Sequence, residues 1–359
     1  MPDLDPSLPI DRLTAAICDI ESVSGNEGPL ADAIEAVLRA APHLTVDRDG
    51  DAIVARTFLG RAQRVAIAGH IDTVPVNENL PTRRETIDGA DTLVGRGTVD
   101  MKGGVAVILK LAVELVAPAV DVTWILYDHE EVEASLNGLG RLARNRPELL
   151  EADFAVLGEP TAAGIEGGCN GTLRARLRFQ GRRAHSARPW TGENAIHKAA
   201  AALRTLAAYA PETITVEGLA YRESLNATLI SGGVAANVIP DLAEVVVNYR
   251  FAPTRSGEAA FALVRRLFPE ADEIVLDDLS EGARPGLDAP LAAAFVAAVG
   301  GEPAPKYGWT DVARFSALGI PAVNYGPGDP GLAHRDDEAV PVAQLLAVEA
   351  GLRSWLAGR

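Results

Sequence analysis

The chain has 359 residues, more than one hydrophobic core usually serves, so two domains are expected. Hydrophobic residues make up 48% of it, which excludes a disordered chain. Asp and Glu number 49 against 33 Lys and Arg, and the formal charge of -16 excludes nucleic acid and anionic membrane as expected partners.

In chain order, residues 11–20 and 28–40 read as helices, and 52–56 and 64–68 as strands. Val105, Ile108, Leu109, Ala112, Leu115 and Val116 recur at helical spacing. Residues 123–127 and 153–157 are short apolar runs, as buried parallel strands would be. This βαβα order implies an α/β core with a mixed, mostly parallel sheet. The pattern changes after Gly168. Residues 172–180 alternate polar and apolar, 193–209 are Ala-rich and helical, 224–231 and 243–250 are strands, and a helix at 256–267 precedes a strand at 273–277. The order β-α-β-β-α-β predicts a ferredoxin-like α+β sheet with one open face. Helices at 289–299, 311–318 and 341–357 and a strand at 321–325 then resume the first pattern. The expected organisation is a discontinuous catalytic domain, 1–170 and 284–359, with an inserted domain at 171–283.

The segment 105–116 carries Lys110 and Glu114 and is too short to span a bilayer. Cys18 and Cys169 make no disulfide framework. Met1-Pro2-Asp3-Leu4-Asp5 lacks the basic region and apolar stretch of a secretory signal. A cytoplasmic protein is expected.

Five groups of acid–base or metal-binding residues fall just after predicted core strands or just before a core helix. His70 and Asp72 follow 64–68; Asp100 precedes the helix that starts near 104; Glu130 and Glu131 follow 123–127; Glu159 follows 153–157; His334 follows 321–325 after a Gly/Pro-rich loop. Parallel strands put their carboxyl ends on one edge, where sites of open α/β sheets form. Singly, each has an ordinary use: a hydrogen-bonded loop histidine, an N-cap aspartate, a solvated Glu pair, a Glu-Pro turn. Together at the strand ends of one sheet they argue for a metal site.

His70, Asp100, Glu131, Glu159 and His334 are donors that suit Zn2+. Three carboxylates supply three negative charges against the four positive charges of two ions, and Asp100 has two oxygens with which to bridge them. Asp72 lies two residues from His70 and points the same way, so it is placed to hold the imidazole tautomer. Glu130 neighbours a ligand and is placed to take a proton from water and hand it to a leaving nitrogen.

The segments that carry these residues are His70-Ile71-Asp72, Gly95-Arg96-Gly97-Thr98-Val99-Asp100-Met101-Lys102-Gly103-Gly104, Glu130-Glu131 and Gly158-Glu159-Pro160-Thr161, with the late His334. Together they resemble the zinc aminoacylase, acetylornithine deacetylase and glutamate carboxypeptidase family over essentially the whole chain. The resemblance implies a zinc-peptidase-like catalytic domain with two Zn2+, Co2+ serving as a substitute. It makes Asp100 the bridging ligand, Glu130 the general base and Asp72 a supporting catalytic residue. It also implies a homodimer formed through the inserted lid domain. His185, in Arg183-Ala184-His185-Ser186, matches a histidine that reaches the neighbouring subunit's site and stabilises the oxyanion. Asn237 and Arg250 match substrate-binding positions, and Arg188 and Thr310 are further candidates.

Within the family, the segments 194–198, 307–312 and 324–329 resemble one branch, and that resemblance implies hydrolysis of N-succinyl-L,L-2,6-diaminopimelate, a small anionic substrate, on the route to lysine. Acetylornithine-type deacylases and dipeptidases are the alternatives. A non-catalytic ligand-binding relative would be expected to have lost Glu130 or a metal ligand, and all are present. Two departures stand out. His129 precedes the Glu pair where related enzymes carry a small residue, Asp or Cys. No arginine stands near Cys169-Asn170, where some desuccinylases hold the succinyl carboxylate; Arg174, Arg188 and Arg250 are the substitutes. His43 and His197 read as structural.

Overall fold

Asp121–Tyr127 and Phe154–Leu157 are buried along their length, and apolar but for Asp121 and Thr123, because both faces of each strand are covered. They lie in the middle of an eight-stranded sheet, in a computed structural model that describes residues 4–358. Residues 1–3 and 359 of the expected catalytic domain lie outside the described residues. The chain divides into two units. The first holds residues up to Gly167, Pro285–Ala304 and the chain from Thr310 on; the second holds Gly168–Arg284 and Pro305–Trp309.

In the first unit the strand order is Thr45–Asp49, Ala52–Arg56, Asp121–Tyr127, Arg64–His70, Phe154–Leu157, Ala322–Asn324, Glu166–Gly167 and Ala304–Pro305. The four strands from Asp121–Tyr127 to Ala322–Asn324 are parallel, so the sheet is mixed with a parallel centre. Register sets His70 beside Tyr127 and Leu157 beside Asn324, which brings their carboxyl ends to one edge. The helix Lys102–Glu114 is buried on every side as far as Ala112, whereas its spacing suggested a single apolar face. It shares one core with Ile10–Cys18, Gly28–Ala40 and Val342–Leu356. A smaller three-stranded sheet joins Arg83–Ile87, Ala90–Val94 and Ala339–Pro341.

Two glycines set how closely the loops at the strand ends approach. A Cβ on Gly104 would lie 2.3 Å from the Gly158 carbonyl oxygen, and one on Gly326 would lie 2.1 Å from the same oxygen. Only glycine lets the segment after Asp100, the segment before Glu159 and the segment leading to His334 meet at that carbonyl.

The second unit holds a four-stranded antiparallel sheet, in the order Ser224–Gly232, Leu242–Phe251, Gly171–Gln180 and Glu273–Ser280. The helices Ala195–Ala207 and Gly257–Leu267 share a core with one face of it. Gly171–Gln180 alternates buried and more exposed residues, so the other face is open. This is the ferredoxin-like arrangement that the element order predicts. Residues 305–309 join this unit through Asn170, whose N–H donates to the Lys306 carbonyl, and through Trp309, whose Nε1 donates to the Glu281 carbonyl. Among the described residues no helix is long and apolar enough to cross a membrane.

Candidate metal centre

His70 is the last residue of its strand and is fully buried. Its Nδ1 lies 3.0 Å from the backbone carbonyl oxygen of Asp72. A carbonyl only accepts, so Nδ1 carries the proton and Nε2 is the nitrogen left for a metal. That Nε2 lies 3.1 Å from Asp100 Oδ1. The second Asp100 oxygen, Oδ2, lies 3.4 Å from His334 Nε2, which is also 3.0 Å from the Glu131 carboxylate. One carboxylate therefore faces two imidazoles through different oxygens, which is the placement a bridging ligand needs. His70, Asp100 and Glu131 each bring a ligand atom within 4.8 Å of the others. Two imidazoles and two carboxylates on this spacing fit divalent cations as a donor set.

Glu159 is buried at the end of Phe154–Leu157. Its charge acts on Glu130, whose carboxyl stands well above its ordinary value. Burial is the main cause; Asp311, Glu159 and Glu131 add to it, and His70 opposes it. Burial also disfavours the Asp100 anion, but hydrogen bonds from His334 and His70 outweigh it and hold that carboxyl well below the usual range. Hydrogen bonds to Asp100 and Glu131 raise His334 from 6.5 to about 10.

The Asp72 carboxylate pairs with His70 and also holds groups the sequence did not point to. It accepts hydrogen bonds from Ser24 Oγ at 2.6 Å, Glu130 N at 2.9 Å and Glu131 N at 3.0 Å. It is 3.5 Å from His70 Nδ1, farther than Asp72's own carbonyl. The carboxylate thus braces the Glu130-Glu131 backbone, while the carbonyl fixes the His70 tautomer. His129 does not turn to the metal ligands. Its Nδ1 lies 2.7 Å from Asp128 and 3.2 Å from Glu27, and Asp128 also accepts from Arg141 at 2.7 Å. His43 is held by the Ala112 carbonyl at 2.9 Å, and His197 is exposed on its helix.

Thr310 belongs to the first unit, where its hydroxyl donates to Asn324 Oδ1 at 2.9 Å in a buried contact. The other candidates lie in the second unit. His185 is exposed, and its Nδ1 accepts from Ala187 N at 3.1 Å, which leaves the proton on Nε2 as an outward donor. Its strand Ala184–His185 pairs with Val238–Ile239, and Ser186 N donates to the Asn237 carbonyl, so His185 and Asn237 are neighbours. Arg250 is half-buried on the open sheet face and donates from Nε to Asn248 Oδ1 at 3.2 Å. Arg188 is exposed beside the short helix Pro189–Thr191.

Three residues outside the expected set also shape the centre. Glu338 is fully buried and accepts from Val99 N and Asp100 N. Arg96 donates to it at 2.8 Å. Lys102 is buried, and its Nζ donates to the carbonyls of Cys18 and Ile20, tying the end of Ile10–Cys18 to the segment that carries Asp100; burial lowers it to about 8. Arg96 and Lys102 stand inside the Gly-rich segment already singled out, so their charge in an apolar surround was a signal. Glu338 had none.

The profile of Peptidase family M20/M25/M40 matches residues 66–357. The chain belongs to that family. It is 47% identical over 354 residues to the succinyl-diaminopimelate desuccinylase of Corynebacterium glutamicum, with 96% of this chain and 95% of that one covered. A Mycobacterium tuberculosis protein provisionally named for the same activity is 54% identical over 349 residues, covering 97% and 98% of the two chains. Among solved structures, a Staphylococcus aureus tripeptidase superposes with a TM-score of 0.80 at 18% identity, covering 99% and 98%. A Bacillus subtilis protein described as a dinuclear metal binding peptidase of family M20 gives 0.71 at 16%, covering 97% and 96%. These two likenesses show the M20 fold.

At about 10, His334 is protonated at neutral pH without metal. Its value lies above the ordinary 6.5, so its ion pairs stabilise the metal-free protein fully below pH 6.5, and that stabilisation is lost as pH rises through about 10. Coordination needs the neutral ring, so metal uptake at pH 7 releases protons. Calorimetric titration in buffers of different ionisation enthalpy should show that release; heats independent of the buffer would contradict it.

Proposed function

We propose that this chain is a two-zinc amide hydrolase that cuts N-succinyl-L,L-2,6-diaminopimelate into succinate and L,L-diaminopimelate on the route to lysine. The observation that carries the metal half of this reading is Asp100, whose two oxygens face His70 and His334 separately. The substrate half rests on 47% identity over nearly the full length of a desuccinylase. In this reading His70, Asp100 and Glu159 would hold one ion, and His334, Asp100 and Glu131 would hold the other. The donor set suits zinc, with Co2+ as a substitute.

Two bound cations would acidify a water and polarise the scissile carbonyl. The remaining steps belong to the chain. Glu130, with its raised carboxyl, takes a proton from the attacking water and delivers it to the leaving amine. Asp72 holds the Glu130-Glu131 backbone in place for both roles. His185 presents its Nε2 proton as a donor for the developing oxyanion. Asn237, Arg250, Arg188 and Thr310 are assigned to binding the substrate, with the arginines matching its carboxylates. The inserted domain acts as a lid over the bound substrate.

We also assign the chain to a homodimer, with His185 serving the partner's centre. The support is the edge strand Ser224–Gly232, which leaves Leu229 and Ile230 exposed, with Val234 exposed just beyond it. Ile196 and Leu203 are exposed on the helix Ala195–Ala207 of the same unit. An apolar, unpaired edge is a surface that another copy can extend. We assign the chain to the cytoplasm, since two cysteines in 359 residues make no disulfide framework.

The substrate assignment is tested on zinc-loaded protein with N-succinyl-diaminopimelate, N-acetylornithine and dipeptides. Turnover should favour the succinyl compound by at least about 100-fold in kcat/KM, as loss of matched polar contacts implies. A preference for acetylornithine or a dipeptide would replace it. The roles of Glu130 and His185 and the dimer are tested together. Glu130→Gln and His185→Ala should each be nearly inactive, yet regain activity when co-expressed, because a mixed dimer has one centre with both groups intact. Absence of any recovery would overturn the shared site.

A further inference from the structure

We infer that Glu338, fastened by Arg96, is a positioning residue that sets the separation of Asp100 and His334 and so builds the His334 half of the metal centre. The inference rests on the two-metal reading above. The loops that carry these two ligands leave the same strand pair, where Val94 stands opposite Ala339. One runs from Gly95 to Asp100, and the other ends at Glu338, four residues after His334. Across the gap, Gly95 N donates to the Glu338 carbonyl at 2.9 Å. The Glu338 side chain makes the remaining links. Its Oε1 accepts from Val99 N at 2.9 Å and Asp100 N at 3.0 Å, and its Oε2 accepts from Arg96 Nη1 at 2.8 Å. Arg96 Nη1 also donates to the Arg335 carbonyl at 3.1 Å, next to His334.

One buried ion pair therefore holds the backbone of the shared ligand and the backbone beside the distal histidine. Both partners are almost wholly buried, Arg96 at 3% and Glu338 at 0% exposure. A carboxylate suits this place because it only accepts, and the backbone N–H groups of Gly97, Val99 and Asp100 and the Arg96 guanidinium are all donors. A glutamine would keep one acceptor for the backbone N–H groups and turn its own NH2 on Arg96. The two halves of the centre depend on the pair unequally. His70 ends a strand in the middle of the sheet and is oriented by the Asp72 carbonyl. His334 sits on an irregular segment, about half-exposed, with φ at 66°. It has no strand to hold it, so its position follows the Arg96–Glu338 brace.

The test titrates chelator-stripped wild type, Glu338→Gln and Arg96→Lys with Zn2+ by calorimetry and with Co2+ by visible absorption, and measures kcat and KM after loading. Wild type should take up two ions. Glu338→Gln should keep the first with near-native affinity and lose about 10- to 100-fold on the second, in line with changes behind a metal ligand. Its kcat should fall while KM stays close to wild type, and Arg96→Lys should move in the same direction to a smaller degree. If both variants took up two ions with native affinity and lost only thermal stability, the pair would be a plain structural brace and the inference would fail. Should Glu338→Gln not fold, Arg96→Lys decides by the same titration. Wild type binding fewer than two ions would instead remove the two-metal reading on which the inference stands.

Discussion

The Asp100 carboxylate faces an imidazole from each of its two oxygens, and the rest of the centre is arranged around that shared contact. Anions crowd this edge of the sheet, where Asp100, Glu131, Glu159 and Glu130 gather around His70 and His334. Like charges gathered out of water are unfavourable unless cations compensate them. Without metal, hydrogen bonds to these acids outweigh burial and raise both histidines above their ordinary value. In the two-metal reading the same side chains would serve as ligands, and the cations would supply the positive charge.

Two kinds of constraint keep these groups together. The first is close backbone approach. Parallel strands end on one edge, and Gly104 and Gly326 let three loops converge on the Gly158 carbonyl. The second is the use of acids as backbone clamps. Asp72 holds the N–H groups of Glu130 and Glu131, and Glu338 holds those of Val99 and Asp100. In both places a buried carboxylate fixes a candidate ligand through its main chain and leaves that residue's side chain free to turn to a metal. His129, Glu27, Asp128 and Arg141 form a further polar cluster beside the Glu pair, and it engages the His129 Nδ1.

The fold class was legible where burial leaves a periodic trace. The central strands are continuous apolar runs, and Gly171–Gln180 alternates, so both sheets show in the sequence. Exposed strands leave little trace. Arg83–Ile87 is exposed throughout and mostly charged or polar, and Thr45–Asp49 is half-exposed and rich in Asp and Arg. The Asp88-Gly89 turn, with φ of 50° and 80°, was the available sign of the hairpin between Arg83–Ile87 and Ala90–Val94. The short helix Gly138–Asn145 begins with two glycines in three residues, which hides it from propensity. The convergence of His70, Asp100, Glu131 and His334 was legible because each is a metal-binding type at a strand or helix end or in a loop that follows a core strand. The hydrogen-bond partner of each was not. That Asp72 orients His70 by its carbonyl, and that Glu338 clamps Asp100, follow from loop packing between segments distant in the chain.

The central claim is that Asp100 joins two divalent cations. Crystals of the zinc-loaded protein, measured on both sides of the zinc absorption edge, address it directly. The account predicts two anomalous peaks about 3.5–4 Å apart, one toward His70 and one toward His334, with an Asp100 oxygen on each. A single peak, or peaks that do not touch Asp100, would contradict it.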